Sequence, residues 1–165
     1  MDESRGLLAL GYAARRHRAG FSAIISLDTA LARSVSAVGD PFHGQVRLAW
    51  WRDQLNALEA NRAANDPVLM SLEPIIIPLR PLSIRLVNAW ETLFDPWPMT
   101  IGSAEHHAHE RGEAVFAMAA QLADVPFDRE VASAARLWAL ADLALHCSDP
   151  DIAAVSFTGS TAVGR

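Results

Sequence analysis

At 165 residues the chain is long enough for one domain that buries about two-thirds of the surface its unfolded form exposes. Hydrophobic residues make up 51% and charged residues 20%, which excludes an intrinsically disordered chain, and the net charge of −5, from 19 acids against 14 bases, excludes a general nucleic-acid footprint. A single cysteine, Cys147, excludes an internal disulfide and suits a reducing compartment.

The N-terminus opens on Asp2 and Glu3 with only a short apolar run before Arg15, unlike a secretory signal. No unbroken apolar run reaches the roughly 18 residues that span a bilayer, so a cytoplasmic protein is expected. Proline and glycine punctuate an otherwise helical pattern. Residues 4 to 19 predict a first helix, with Ser4 as N-cap and Gly20 as stop. It ends in Arg15-Arg16-His17-Arg18, a basic cluster that is either a solvated helix end favoured by the macrodipole or a contact for an anion or a membrane surface.

Residues 21 to 38 predict a second helix, closed by Gly39-Asp40-Pro41. Phe21, Ile24, Asp28, Leu31, Val35 and Val38 recur along it at spacings of three and four, and Asp28 is the polar member of that seam. A third helix is predicted from about 43 to 64. Leu48, Trp51, Leu55 and Leu58 form its 3-4-3 seam, and Val46, Ala49, Trp50 and Ala57 a flanking stripe. Because helical neighbours lie about 100° apart, Trp50 and Trp51 are expected to pack against two different elements, which would make this helix central. Arg47 can lie along an indole or reach an anion beside it; the alternative is a wide buried stripe with snorkelling arginines.

Asn65-Asp66-Pro67 begins a short helix that Pro74 interrupts, and Ile75-Ile76-Ile77, bracketed by prolines, reads as a buried connector with strand character. Residues 82 to 94 return to helical spacing through Leu86, Trp90 and Leu93, ended by Asp95-Pro96-Trp97-Pro98. Ser103 is expected to cap a helix running to about 124, and Asp128 another to about 147. In the latter, Val131, Ala135, Trp138, Asp142 and Leu145 form a seam with one carboxylate near its middle.

A carboxylate on an inward face costs several kcal/mol unless it is paired, hydrated or bound to a cation. Asp28 and Asp142 therefore each meet a buried arginine or a neighbouring backbone, or they face each other across a cavity and hold magnesium. The cluster Glu105-His106-His107-Ala108-His109 is a separate candidate. His109 lies four residues from both Glu105 and Glu113, and His106 four from Glu110, spacings that can place two metal ligands on one helix face. Histidines at a helix start are more often exposed.

The string Arg47-Leu48-Ala49-Trp50-Trp51-Arg52-Asp53 resembles the squalene/phytoene synthase family, in particular its divergent bacterial branch. Ser22 to Arg33 is similar to the helix where that family carries its first aspartate-rich motif, His109 to Ala120 to its Tyr-x-x-x-x-Gly helix, and Arg136 to His146 to the start of its second aspartate-rich helix. The resemblance covers residues 5 to about 148. It implies an all-α, isoprenoid-synthase-like helical bundle over 1–148, here incomplete at the C-terminal side. It also implies prenyl transfer, in which magnesium ions on two aspartate-rich motifs bind a prenyl diphosphate and draw off its diphosphate. On that resemblance Asp28 and Asp142 are the magnesium ligands. Arg47 or Arg52 would assist the diphosphate and Trp50 would line the apolar chain, roles that rest on charge and position.

The motif regions depart from the family pattern. Leu27-Asp28-Thr29-Ala30-Leu31-Ala32-Arg33 and Ala141-Asp142-Leu143-Ala144-Leu145-His146 carry one acid each where clusters are expected, and histidines stand where a tyrosine should precede Arg111-Gly112. The expected protein is a synthase-like member of isoprenoid metabolism with a degraded, inactive prenyl-transfer site. The alternatives are a non-catalytic relative that binds a lipid or a protein partner, as the respiratory complex I assembly factors of this family do, with peripheral membrane contact open to it, or a fragment without function. Residues 149–165 break the helical pattern. Phe157-Thr158-Gly159-Ser160-Thr161-Ala162-Val163-Gly164 resembles the cofactor loop of aldehyde dehydrogenases, but no cofactor domain stands upstream to use it. The tail is expected to be of foreign origin.

Overall fold

Among the described residues, the stretches where apolar residues recur at spacings of three and four form helix. The computed structural model describes residues 15–36, 41–58, 65–94 and 100–146, and among these every regular element is helical. In order they are α1 (Arg18–Ser36), α2 (Pro41–Ala57), α3 (Pro67–Leu72), α4 (Ile76–Glu91), α5 (Ile101–Ala123) and α6 (Arg129–His146). Short 3-10 turns at Arg15–His17, Glu73–Ile75 and Thr92–Phe94 join or extend them. Ser4, Val38, Gly39, residues 59–64, Asp95 to Pro98, Cys147 and the tail 149–165 lie outside the described residues.

The central element is α5, which packs against α6, α4 and α1, whereas α2 lies to one side against α4 and α1. The expectation that the tryptophan helix is central is corrected here. Its inner seam of Leu48, Trp51, Leu55 and Leu58 is buried, but the flanking stripe is not. Trp50 is 39% and Val46 51% exposed, so one indole packs inward and the other stays at the surface. Trp51 fixes α2 to α1 by donating from Nε1 to Ser34 Oγ at 3.2 Å.

Three of the described glycines, Gly20, Gly44 and Gly112, serve close packing, and Gly20 does not stop a helix. Helix α1 runs through it, and a Cβ there would come within 2.7 Å of Leu122 Cδ1 at the end of α5. Gly112, midway along α5, is tighter still: a Cβ would lie 2.3 Å from the Ala135 carbonyl oxygen on α6. Backbone cannot yield as a flexible side chain can. Gly112→Ala is expected to lower stability by about 1–3 kcal/mol in urea unfolding, despite alanine's better helix propensity.

Three local expectations also change. Ile75 to Ile77 are helical, because Pro74 and Pro78 fall where a helix start tolerates them. Ile76 is buried, while Ile77 is 66% exposed. Thr100, rather than Ser103, caps α5, accepting from the Ser103 amide at 3.1 Å, while Asp66 and Asp128 cap α3 and α6 as the sequence suggests. Leu145 is 62% exposed, so the inner face of α6 drifts to Ala139 and Leu143. The run Pro67–Phe94, for which Pro74 suggests a break, is helical over 28 residues, long and apolar enough to cross a membrane by length and composition alone.

Candidate functional site

Helices α1, α5 and α6 meet around one guanidinium. Arg111, on the inner side of α5, is 1% exposed, as is Asp28 on α1. Arg111 donates from Nε to Asp28 Oδ1 at 3.0 Å and from Nη2 to Asp28 Oδ2 at 2.8 Å, a bidentate pair. The same Nη2 lies 2.7 Å from Asp142 Oδ2 on α6. Asp28 Oδ1 also accepts from Trp90 Nε1 on α4, at 2.8 Å. The guanidinium also lies over two indoles, its central carbon 4.6 Å from the Trp90 and 4.7 Å from the Trp138 ring centroid.

Asp28 and Asp142 thus converge, as their positions on two inward seams imply, and the cation between them is Arg111. Burial by itself lowers the Arg111 pKa, but the charges and hydrogen bonds of Asp28 and Asp142 outweigh it and raise the pKa above the ordinary arginine value. The guanidinium stays charged. His107, one turn before it on α5, is also fully buried. Its Nδ1 lies 2.9 Å from the Ala89 carbonyl, which can only accept, so Nδ1 carries the proton. Its Nε2 is buried without a hydrogen-bond partner among the described residues, and its ring meets Trp90 edge-on at 5.2 Å. Burial first, then the Arg111 charge, push the His107 pKa down to about 4, so the ring is neutral at neutral pH.

The donor set does not fit a magnesium–diphosphate site. Magnesium takes oxygen ligands with near-ideal octahedral geometry, and diphosphate ionisation needs several metals. Here two isolated carboxylates are already engaged by one guanidinium, and among the described residues no group of three His, Cys, Asp or Glu side chains could hold a metal. A metal would have to displace Arg111 and leave a buried, unpaired guanidinium, at a cost of several kcal/mol.

The three other candidates from the sequence lie elsewhere. Arg52 reaches α4, donating to Asn88 Oδ1 and Glu91 Oε2, both at 2.7 Å. Trp50 meets Trp51 edge-on at 5.0 Å, and Arg47 is exposed. None of these contacts leads to the buried carboxylates.

On the outer side of α5, His106 and His109 line an open groove of about 580 Å³ with Gly102, Glu105, Ala108, Arg136 and Leu140. His109 Nδ1 is 2.9 Å from Glu113 Oε1, and Arg136 donates to that same oxygen at 2.6 Å. Arg85 on α4 donates to both oxygens of Glu110, at 2.7 and 3.0 Å. This ladder ties α4, α5 and α6 together. The hydrogen bond from Arg85 holds Glu110 below the usual carboxylate range; burial pushes Glu113 up, but Arg136, His109 and Arg85 together outweigh it and lower its pKa as well.

Comparison of the chain with family models, with curated proteins and with solved structures finds no match.

Proposed function

We propose that this chain is a non-catalytic helical binding domain of the squalene/phytoene synthase type, in which the carboxylates that would hold magnesium serve as a structural charge lock. The observation that carries the reading is Arg111, buried between Asp28 and Asp142 and in cation–π contact with two indoles. In prenyl transfer, facing carboxylates gather metals that neutralise a diphosphate leaving group. A guanidinium held in that place takes up the same carboxylate lone pairs and offers no exchangeable coordination position. Its pairing joins three helices in one core and leaves the exposed surfaces of the bundle to bind a lipid or protein partner.

Thermal unfolding with magnesium and a non-hydrolysable farnesyl diphosphate analogue tests this. A ligand that binds the native state alone stabilises it by about 2.7 kcal/mol at a hundredfold excess over its dissociation constant. The expected result is a cooperative transition that the pair of ligands does not move. A magnesium-dependent rise of the midpoint overturns the reading in favour of a working prenyl-diphosphate site.

A further inference from the structure

Along α3 and α4 the outward residues Met70, Pro74, Ile77 and Pro81 recur at spacings of three and four, with Pro78 beside Ile77, opposite the buried Leu69, Leu72, Ile76 and Leu79. Met70 is 58% and Ile77 66% exposed, and just 28% of the most apolar window of this run is buried. A core helix would be covered on most sides. A membrane span would not pack one face into a protein core while carrying Glu73 and Glu91 on the rest. The run has the form of a helix that lies along a surface.

The prolines narrow what that surface is. Pro74, Pro78 and Pro81 have no amide proton, so the carbonyls of Met70, Pro74 and Ile77 lack the donor that a regular helix supplies four residues on. A dry protein groove would have to satisfy each of them. A lipid headgroup layer keeps water at that depth while taking up the apolar side chains.

Charge points the same way. Gly20 sits against both Ile75 and Leu122, its notional Cβ 3.8 Å from Ile75 Cδ1, which places the start of α1 beside the start of the apolar stripe. There Arg15, Arg16 and Arg18 are exposed. Gln121, at the end of α5, donates to the Pro78 carbonyl at 3.3 Å, and the turn that follows exposes Val125 by 53%. One end of the bundle therefore combines an arginine cluster with exposed apolar residues from two segments. Glu73 and Asp124 border it, so attraction works through the arginine cluster rather than through net charge.

We propose that this end of the bundle docks on a bilayer containing anionic phospholipid, with Arg15, Arg16 and Arg18 on the phosphate headgroups and Met70, Ile77 and Val125 in the acyl boundary. The surface depends on its own residues and holds whether or not the Asp28–Arg111–Asp142 cluster is catalytically silent.

Vesicle flotation of the full chain tests it, with phosphatidylcholine vesicles that contain phosphatidylglycerol and with pure phosphatidylcholine. The protein is expected to float with the mixed vesicles, less so in high salt, and weakly with the pure ones. Arg15→Glu/Arg16→Glu and Ile77→Glu, all at exposed positions, should each lower the partition coefficient about tenfold while helical circular dichroism and the melting midpoint stay unchanged. Failure to float with mixed vesicles overturns the proposal. So does flotation that survives Ile77→Glu, which would leave a purely electrostatic anion contact. A dimer in light scattering that Ile77→Glu turns into a monomer, with no vesicle binding by either, overturns it in favour of a second copy as the occupant.

Discussion

Replacing Arg111 with methionine is expected to destabilise the protein by about 3–5 kcal/mol, a fall of roughly 10 °C in the thermal midpoint. The size follows from what is left behind. Asp28 is as buried as Arg111 itself, and with the guanidinium gone it keeps, among the described residues, a single neutral donor, Trp90 Nε1, for a full negative charge. Asp142 loses its close cation at the same time. The triple replacement Asp28→Asn/Asp142→Asn/Arg111→Met removes the charge along with its partner and should recover most of the loss, since apolar or neutral substitutes for a whole buried ion cluster are often near neutral. The cycle of single, double and triple variants in urea unfolding then gives the coupling directly. A neutral Arg111→Met would mean that packing alone, without the charge lock, joins α1, α5 and α6.

Stability is also expected to fall by about 3 kcal/mol as pH drops from about 6.5 to about 4, through His107. In the unfolded chain this histidine takes up a proton near its ordinary pKa of 6.5, while in the native protein burial and the neighbouring Arg111 hold it neutral down to about 4. Between those values the unfolded state binds more protons, so stability rises with pH across the window. The contribution is full above about 6.5 and gone below about 4. Glu110 and Glu113 act lower. Their native pKa values are depressed below 4.5, so the stability they add is present above that value and lost beneath it. Urea unfolding across the window, on the native chain and on His107→Gln, separates the two. The variant should lose the slope above about pH 4.5 and keep the loss at lower pH. Equal slopes in the two proteins would show that His107 is not the group responsible.

Periodicity made the inner seams legible. Ile24, Asp28 and Leu31, then Leu48, Trp51, Leu55 and Leu58, all reach the core as their spacing requires. The rule that a lone charge on such a seam needs a partner also located Asp28 and Asp142. Applied to α5, the same rule would have found the partner, because Ala104, Ala108, Arg111, Val115 and Met118 recur at alternating spacings of four and three and Arg111 is the one charge among them. The histidines beside it drew attention to the wrong side of the helix. His106 and His109 face the outer groove, while His107, between them, points into the core.

What periodicity does not carry is which stripe gets covered. Val46, Ala49 and Trp50 share a stripe as regular as the buried one, yet all three are exposed among the described residues, where α2 packs through its other stripe against α1 and α4. Glycine is ambiguous for a related reason. Gly20 looks like a helix break in one dimension and is a contact point in three, as Gly112 is within α5, and only the neighbouring helix tells the two roles apart. The helical Ile75 to Ile77 show local β propensity giving way to tertiary packing.

The charge cluster also sets an order of events during folding. Asp28 and Arg111 are 83 residues apart, and Asp142 lies further along still. Closing so long a loop has a large entropic cost before any contact rewards it, so α1 cannot bury its carboxylate while the chain is being synthesised until α5 and most of α6 have emerged. Until then Asp28 stays hydrated, and its seam is an apolar surface with a solvated gap in the middle. The ion cluster is thus a late closure, formed after local helix pairing, and it stabilises the finished native state far more than it hastens the search for it.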